Sequence, residues 1–257
     1  MLKASRFLVV LCFQLAFLPA LAQAQQAEPP HYTYVAEWFI PRAHWDAYVA
    51  GWEKDTKPVL ERMAANGTLL SWGAFTTIVH EASGITHGVW WSAGSIAAVE
   101  RVREELIKLP PSPALTAATS HHDHLNSSLL HRSKTTAPSS GYLYVAIYTV
   151  QPGKGQEWRE LWEKYNKPAL DDQLAKGNLL YYAVDVEDVH TDNPGLRLVI
   201  MITPNAEAED RVTAGITAAS EARSAEERSA ITAAFAEVLV PASHRDYFAR
   251  VLSWWHK

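Results

Sequence analysis

The chain has 257 residues, 48% of them hydrophobic, with 23 basic against 28 acidic residues and a net charge of −5 when histidine is neutral. That is enough apolar material for a sizeable core, and the acidic balance excludes the basic stripe that nucleic-acid binding requires. The single cysteine, Cys12, sits in the first apolar run. Thiolate catalysis, a disulfide framework and cysteine-ligated metals are therefore excluded from everything after it.

Lys3 and Arg6 precede an apolar run from Phe7 to Leu18, and Pro19 breaks it. Ala20-Leu21-Ala22 and Ala22-Gln23-Ala24 offer the small residues that a signal peptidase reads. The run is too short to span a membrane as a mature helix. The expectation is a signal peptide over 1–24 and export, to the periplasm or the medium. Without Lys3 and Arg6, 21 basic residues face 28 acidic ones, a net −7. No second stretch is long enough to cross a bilayer, so no membrane association is expected after cleavage.

Residues 25–31 read as a polar leader. From Tyr32 to Ile40 the chain alternates as a strand does, with Tyr34, Ala36 and Trp38 on one face and Thr33, Val35 and Glu37 on the other. From His44 a helical period takes over, placing Trp45, Tyr48, Trp52, Thr56 and Met63 on one face. Pro58 is expected to kink this helix, and Asn66-Gly67 ends it. Strands follow over 69–77 and 86–92, then a helix over 96–109 ended by Pro110-Pro111, a weaker segment over 114–120, and a fourth strand over 121–132.

Residues 133–141 read as a linker, and then the order returns. Trp52-Glu53-Lys54 and Lys57-Pro58 come back as Trp162-Glu163-Lys164 and Lys167-Pro168. Tyr34, Gly67, Val79-His80 and Arg101-Val102 come back as Tyr144, Gly177, Val189-His190 and Arg211-Val212, always 110 positions later. One register held through so many elements marks a duplication. Near the end the spacing is 123, where Ser243-His244-Arg245-Asp246 resembles Ser120-His121-His122-Asp123. The second copy therefore carries about thirteen extra residues, in the Ala- and Glu-rich helical stretch 205–238. The expected domains are a first repeat over 32–132 and a second over 142–256.

Each copy reads β-α-β-β-α-β, the ferredoxin-like order, with an α+β sheet covered by helices on one face. In this the chain resembles the dimeric α/β-barrel superfamily, in which two ferredoxin-like units pack sheet to sheet and some members fuse both in one chain as a pseudo-dimer. The resemblance covers about residues 32–256 and rests on element order and the tandem repeat. It implies a functionally broad group that includes cofactor-free monooxygenases, haem-degrading monooxygenases, chlorite dismutases and lactone isomerases, and the fold does not choose among them. Haem-degrading members usually place a histidine ligand on the second helix. Neither 96–109 nor 205–238 contains a histidine, so no cofactor is expected.

The two copies act as each other's control. Glu37 stands mid-strand where the second copy has Ile147, which marks it as a buried carboxylate and a candidate general base. Thr86, Gly88, Trp90 and Ser92 face Leu196, Leu198, Ile200 and Ile202, so smaller groups there are expected to open a pocket near Glu37 and Trp90, with Trp38 nearby. His87 matches Arg197, as an exposed position or an alternative base. His122 and His124 point the same way on a strand and form a candidate divalent-metal pair. His121 and Asp123 recur as His244 and Asp246, which reads as a structural hydrogen bond, and the paired His80 and His190 also read as structural. There is no nucleophile elbow, phosphate loop or dinucleotide fingerprint.

Ten Trp and ten Tyr suit both a bulky core and a pocket for a flat ligand. The leading expectation is a protein that binds a small apolar or aromatic molecule in an aromatic-lined pocket of the first repeat. The alternatives are a cofactor-independent monooxygenase using Glu37 or His87 as base, and a divalent-metal protein using His122 and His124. The residues leave further oligomerisation open.

Overall fold

A computed structural model describes residues 30–79, 84–110, 112–134, 137, 139–190 and 194–257. Eight strands, all paired antiparallel, close into a barrel. They are β1 (Tyr32–Phe39), β2 (Ser71–Val79), β3 (His87–Ala93), β4 (Ser120–Ser133), β5 (Ser139–Thr149), β6 (Tyr181–Val189), β7 (Leu196–Thr203) and β8 (Arg245–His256). The order around the barrel is β1-β3-β2-β8-β5-β7-β6-β4, returning to β1. The four strands up to Ser133 thus run β4-β1-β3-β2, and the four from Ser139 run β8-β5-β7-β6.

The two sheets are joined edge to edge rather than only face to face. β2 pairs with β8, Trp72 opposite Trp255, and β4 pairs with β6, Asn126 opposite Glu187. Closure leaves no open edge to template aggregation. It also gives each strand two buried faces. In β1, Tyr34, Ala36 and Trp38 pack toward the helices, while Thr33, Val35 and Glu37 line the lumen. The core is accordingly divided. One cluster lies under the helices of the first half, around Trp52, Leu60, Trp72 and Trp91, and a matching one lies around Trp158, Trp162, Leu170 and Tyr182. A third fills the lumen with Phe75, Val145, Ile202 and Trp254. Each such side chain withdrawn from water contributes roughly 1.5–3 kcal/mol.

The helices are α1 (Trp45–Gly51), α2 (Lys57–Ala65), α3 (Ile96–Leu106), α4 (Pro113–Thr116), α5 (Gly155–Tyr165), α6 (Lys167–Lys176), α7 (Ala206–Glu221) and α8 (Ala225–Val238). Pro58 does not merely kink one helix. The chain passes through a π-helical turn, Trp52–Thr56, and restarts as α2 with the proline in its first turn. Pro58 has no N–H to donate to the preceding turn, and the wider turn absorbs the mismatch. Around Pro168 the same problem is met by a break at Asn166 between α5 and α6. Lys57 and Lys167 are partly covered, paired with Glu53 at 2.8 Å and Asp171 at 2.5 Å.

The stretch 205–238 forms two helices. Their caps, the side chains of Asn205 and Ser224, accept the backbone N–H of Ala208 and Glu227. α8 stands where the first half has only the single turn α4. Strand enters the expected linker 133–141 from both ends, because β4 runs to Ser133 and β5 starts at Ser139. Among the described residues no helix is long and apolar enough to cross a membrane.

Candidate functional site

Glu37 is 4% exposed and points into the lumen, as its pairing with Ile147 across the two halves requires. It does not stand alone. His124 on β4 lies with Nε2 3.4 Å from Glu37 Oε2 and Nδ1 3.1 Å from Glu187 Oε1 on β6. The Tyr247 hydroxyl, from β8, donates to Glu37 Oε1 at 3.4 Å. Nearby, Ser128 donates to Asp185 at 2.6 Å. Burial pulls the His124 imidazole toward neutrality, but the bonds and charge of Glu37, then those of Glu187, outweigh it and raise its pKa to about 9. Burial raises the Asp185 carboxyl to about 6, against the Ser128 bond.

At neutral pH His124 is thus an imidazolium held between two carboxylates. His122 lies beside it, with ring centroids 4.1 Å apart and the rings tilted by 40°, as the strand alternation implies. Of the other residues expected near Glu37, Trp90 and Ser92 do line the lumen. Ser92 Oγ shares hydrogen bonds with Thr33 Oγ1 at 2.9 Å and Ser71 Oγ at 2.8 Å.

Three expectations are corrected. His87 is fully buried on the helix side of the sheet, against Tyr48 at 4.4 Å and Trp45 at 5.1 Å, and it does not reach Glu37. Burial and the nearby Arg42 charge depress its pKa to about 4. Thr86 is a tie at the end of the barrel, accepting from Ile40 N at 2.8 Å and bonded to His87 Nδ1 at 2.9 Å. Trp38 also faces the helices, stacked on His121 at 5.0 Å. His80 lies outside the described residues, and His190 is exposed after β6.

The small groups of β3 do not open a wide pocket either. A Cβ on Gly88 would sit 2.3 Å from the Phe75 ring, and one on Gly73 would sit 2.2 Å from Trp90. Neighbouring aromatics already occupy that space, and the lumen cavity measures about 80 Å³. A cavity of about 150 Å³ takes up benzene, and the lumen is roughly half that size.

The room lies between helices and barrel. In the first half a cavity of about 340 Å³ is walled by Tyr34, Trp38, Tyr48, Trp52 and Trp91. Arg103, His121 and Asp123 are among its polar groups. His121 Nε2 is 3.0 Å from Asp123 Oδ1. Burial, then the charge of Asp123 and a hydrogen bond to it, holds the Tyr34 hydroxyl above its ordinary range. The second half has a cavity of about 530 Å³ whose walls include Tyr144, Tyr148, Trp158, Trp162 and Phe235. His244 and Asp246 repeat the dyad at 2.9 Å, with Tyr148 stacked on His244 at 4.5 Å, but neither belongs to that cavity's lining. The helices covering both cavities carry no histidine among the described residues.

Sequence reading passed over Asp185, Glu187 and Tyr247. The comparison that singled out Glu37 also finds the first two: 110 positions earlier stand Phe75 and Thr77. They were missed because the polar residue belongs to the second copy.

No family model and no curated protein matches the sequence. Solved structures do. A "putative monooxygenase" from Lactobacillus acidophilus superposes with a TM-score of 0.60 at 10% identity, covering 89% of this chain and 97% of its own. One of the same description from Fusobacterium nucleatum gives 0.60 at 11%, covering 90% and 96%. An anthrone oxidase-like protein gives 0.52 at 13%, covering 90% and 94%. At such identities the likeness shows the fold alone: this chain shares the α+β barrel of these structures over most of its length.

Proposed function

We propose that this protein binds a small, flat aromatic molecule in the helix-side cavity of its first half. The observation that carries this is size joined to lining. The 340 Å³ cavity joins five aromatic walls to Arg103, His121 and Asp123, whereas the lumen offers 80 Å³ and the larger second-half cavity has no histidine or carboxylate in its lining. We read the chain as a single-chain pseudo-dimer of two ferredoxin-like units, supported by the 110-residue register and the matching strand order of the two halves. We also read it as exported, supported by residues 1–24.

The test is a titration of the mature protein with naphthol- and anthrone-type compounds, followed by tryptophan fluorescence, in wild type, Ala36→Phe and Glu37→Gln. Ala36 lines the helix-side cavity and Glu37 the lumen. Binding that Ala36→Phe weakens and Glu37→Gln leaves intact supports the reading. The opposite pattern, or no binding, overturns it.

A second reading is oxidation of the bound aromatic by molecular oxygen. It is favoured by the His121–Asp123 dyad on the cavity wall and by the names of the fold's neighbours. An imidazole oriented by a carboxylate can take a proton from an acidic aromatic. The carbanion then reacts with oxygen, and a methylene plus O₂ gives a carbonyl plus water. Oxygen uptake with anthrone, abolished in His121→Phe while binding persists, supports this reading, and binding without uptake rejects it.

A further inference from the structure

His87, His121 and His122 all gather where β1 ends, opposite Trp38 and Glu37. Three other histidines meet at the opposite end of the barrel, six residues or about 20 Å away along β1. His31 immediately precedes β1, His131 lies on β4 and His256 ends β8. Each offers a ring nitrogen within 4.8 Å of the other two. His31 Nδ1 and His131 Nδ1 are 3.2 Å apart. A tetrahedral ion with bonds of about 2.0–2.1 Å holds its nitrogens roughly 3.4 Å apart. Two of the three therefore stand at ligand spacing already, and the third is within reach of a side-chain rotation.

We propose that His31, His131 and His256 form a site for a divalent transition ion of the zinc class, with a fourth position left to water or a small ligand. Two further observations support it. His256 is 8% exposed, yet its Nε2 has no hydrogen-bond partner. A buried polar nitrogen left so is costly to folding, and a cation turns that cost into a bond. The His256 Nδ1 donates to the Lys257 carbonyl at 2.8 Å, which sets the tautomer and leaves Nε2 with the lone pair, the outer arrangement usual for a metal-bound histidine.

The cluster exists once. In the 110-residue register Gly141 replaces His31, and even a Cβ there would meet the Thr203 carbonyl oxygen at 2.3 Å. In the 123-residue register Trp254 and Ser133 stand for His131 and His256. Among the described residues this is the group of three that meets the spacing, and it contains no carboxylate. An all-imidazole set suits zinc, copper or nickel rather than calcium or magnesium. Half-buried His131 gives access from solvent, and Tyr181, 5.4 Å from the His256 ring, places the site at the floor of the lumen.

The experiment uses the mature protein, purified without an affinity tag, stripped with chelator and titrated with Zn²⁺ and, as a spectroscopic probe, Co²⁺. The expected result is one ion per chain, the intense visible bands of four-coordinate Co²⁺, and a higher Tm with Zn²⁺. His131→Gln, at the most accessible of the three, is expected to weaken binding more than about tenfold while circular dichroism stays that of wild type. Should that variant not fold, histidine NMR of the unaltered protein decides: Zn²⁺ must move the ring signals of His31, His131 and His256 and leave those of His121, His122 and His124 in place. Absence of stoichiometric binding, or an ion that moves the second set instead, overturns the proposal.

Discussion

Glu37 and Glu187 come from different halves of the chain and hold the same imidazole, that of His124, at 3.4 and 3.1 Å. The contact lies at the β4 seam, where the first sheet meets the second through β6. A buried charge stripped of one partner is worse than no charge at all. Glu37→Gln is therefore expected to lower unfolding stability by about 3 kcal/mol and to leave aromatic ligand binding unchanged. Denaturant unfolding of wild type, Glu37→Gln, Glu187→Gln and the double variant checks this. The double variant should cost less than the sum of the singles, because both act through His124.

The same imidazole sets a pH dependence. Unfolded, His124 releases its proton near 6.5, and folded, near 9. The folded state thus binds more protons between these values, so the contribution is complete below about pH 6.5 and is lost as pH rises through 9. Asp185, raised to about 6, acts on the acid side of this window. Stability should fall by on the order of 2–3 kcal/mol between pH 6.5 and 9. Chemical denaturation across that range should show the decline in wild type and a flat profile in His124→Gln.

Gly88 and Gly73 are places where an aromatic ring occupies the volume of a missing side chain, with Phe75 2.3 Å and Trp90 2.2 Å from the built Cβ. Gly88→Ala is expected to cost about 1–3 kcal/mol by overpacking. Phe75→Leu in the same chain should recover part of that loss, since the two residues share one space. Thermal unfolding of the two single variants and the double variant measures the coupling.

The helix-side cavity predicts a third class of variant. Ala36→Phe, on a wall of the 340 Å³ space, is expected to reduce affinity for a naphthol-type ligand by at least tenfold, about 1.4 kcal/mol. Ile147→Phe, on the lumen wall, is expected to leave that affinity alone. Fluorescence titration of both variants decides between the two spaces.

Sequence by itself determined the element order, the strand alternation of Tyr34, Ala36 and Trp38 against Val35 and Glu37, and the burial of Glu37. These follow from local periodicity and from comparing each residue with its counterpart 110 positions away. It did not show which face of β1 looks inward, because closure makes both faces buried and removes the polar–apolar contrast that would tell them apart. For that reason Trp38 was placed with Trp90, although they lie on opposite faces of the sheet. The meeting of Glu37 with Glu187, and of His31 with His131 and His256, was decided only by tertiary structure. Those residues lie 100 or more positions apart and come together because β4 pairs with β6 and β2 with β8, two edge pairings that no local pattern encodes.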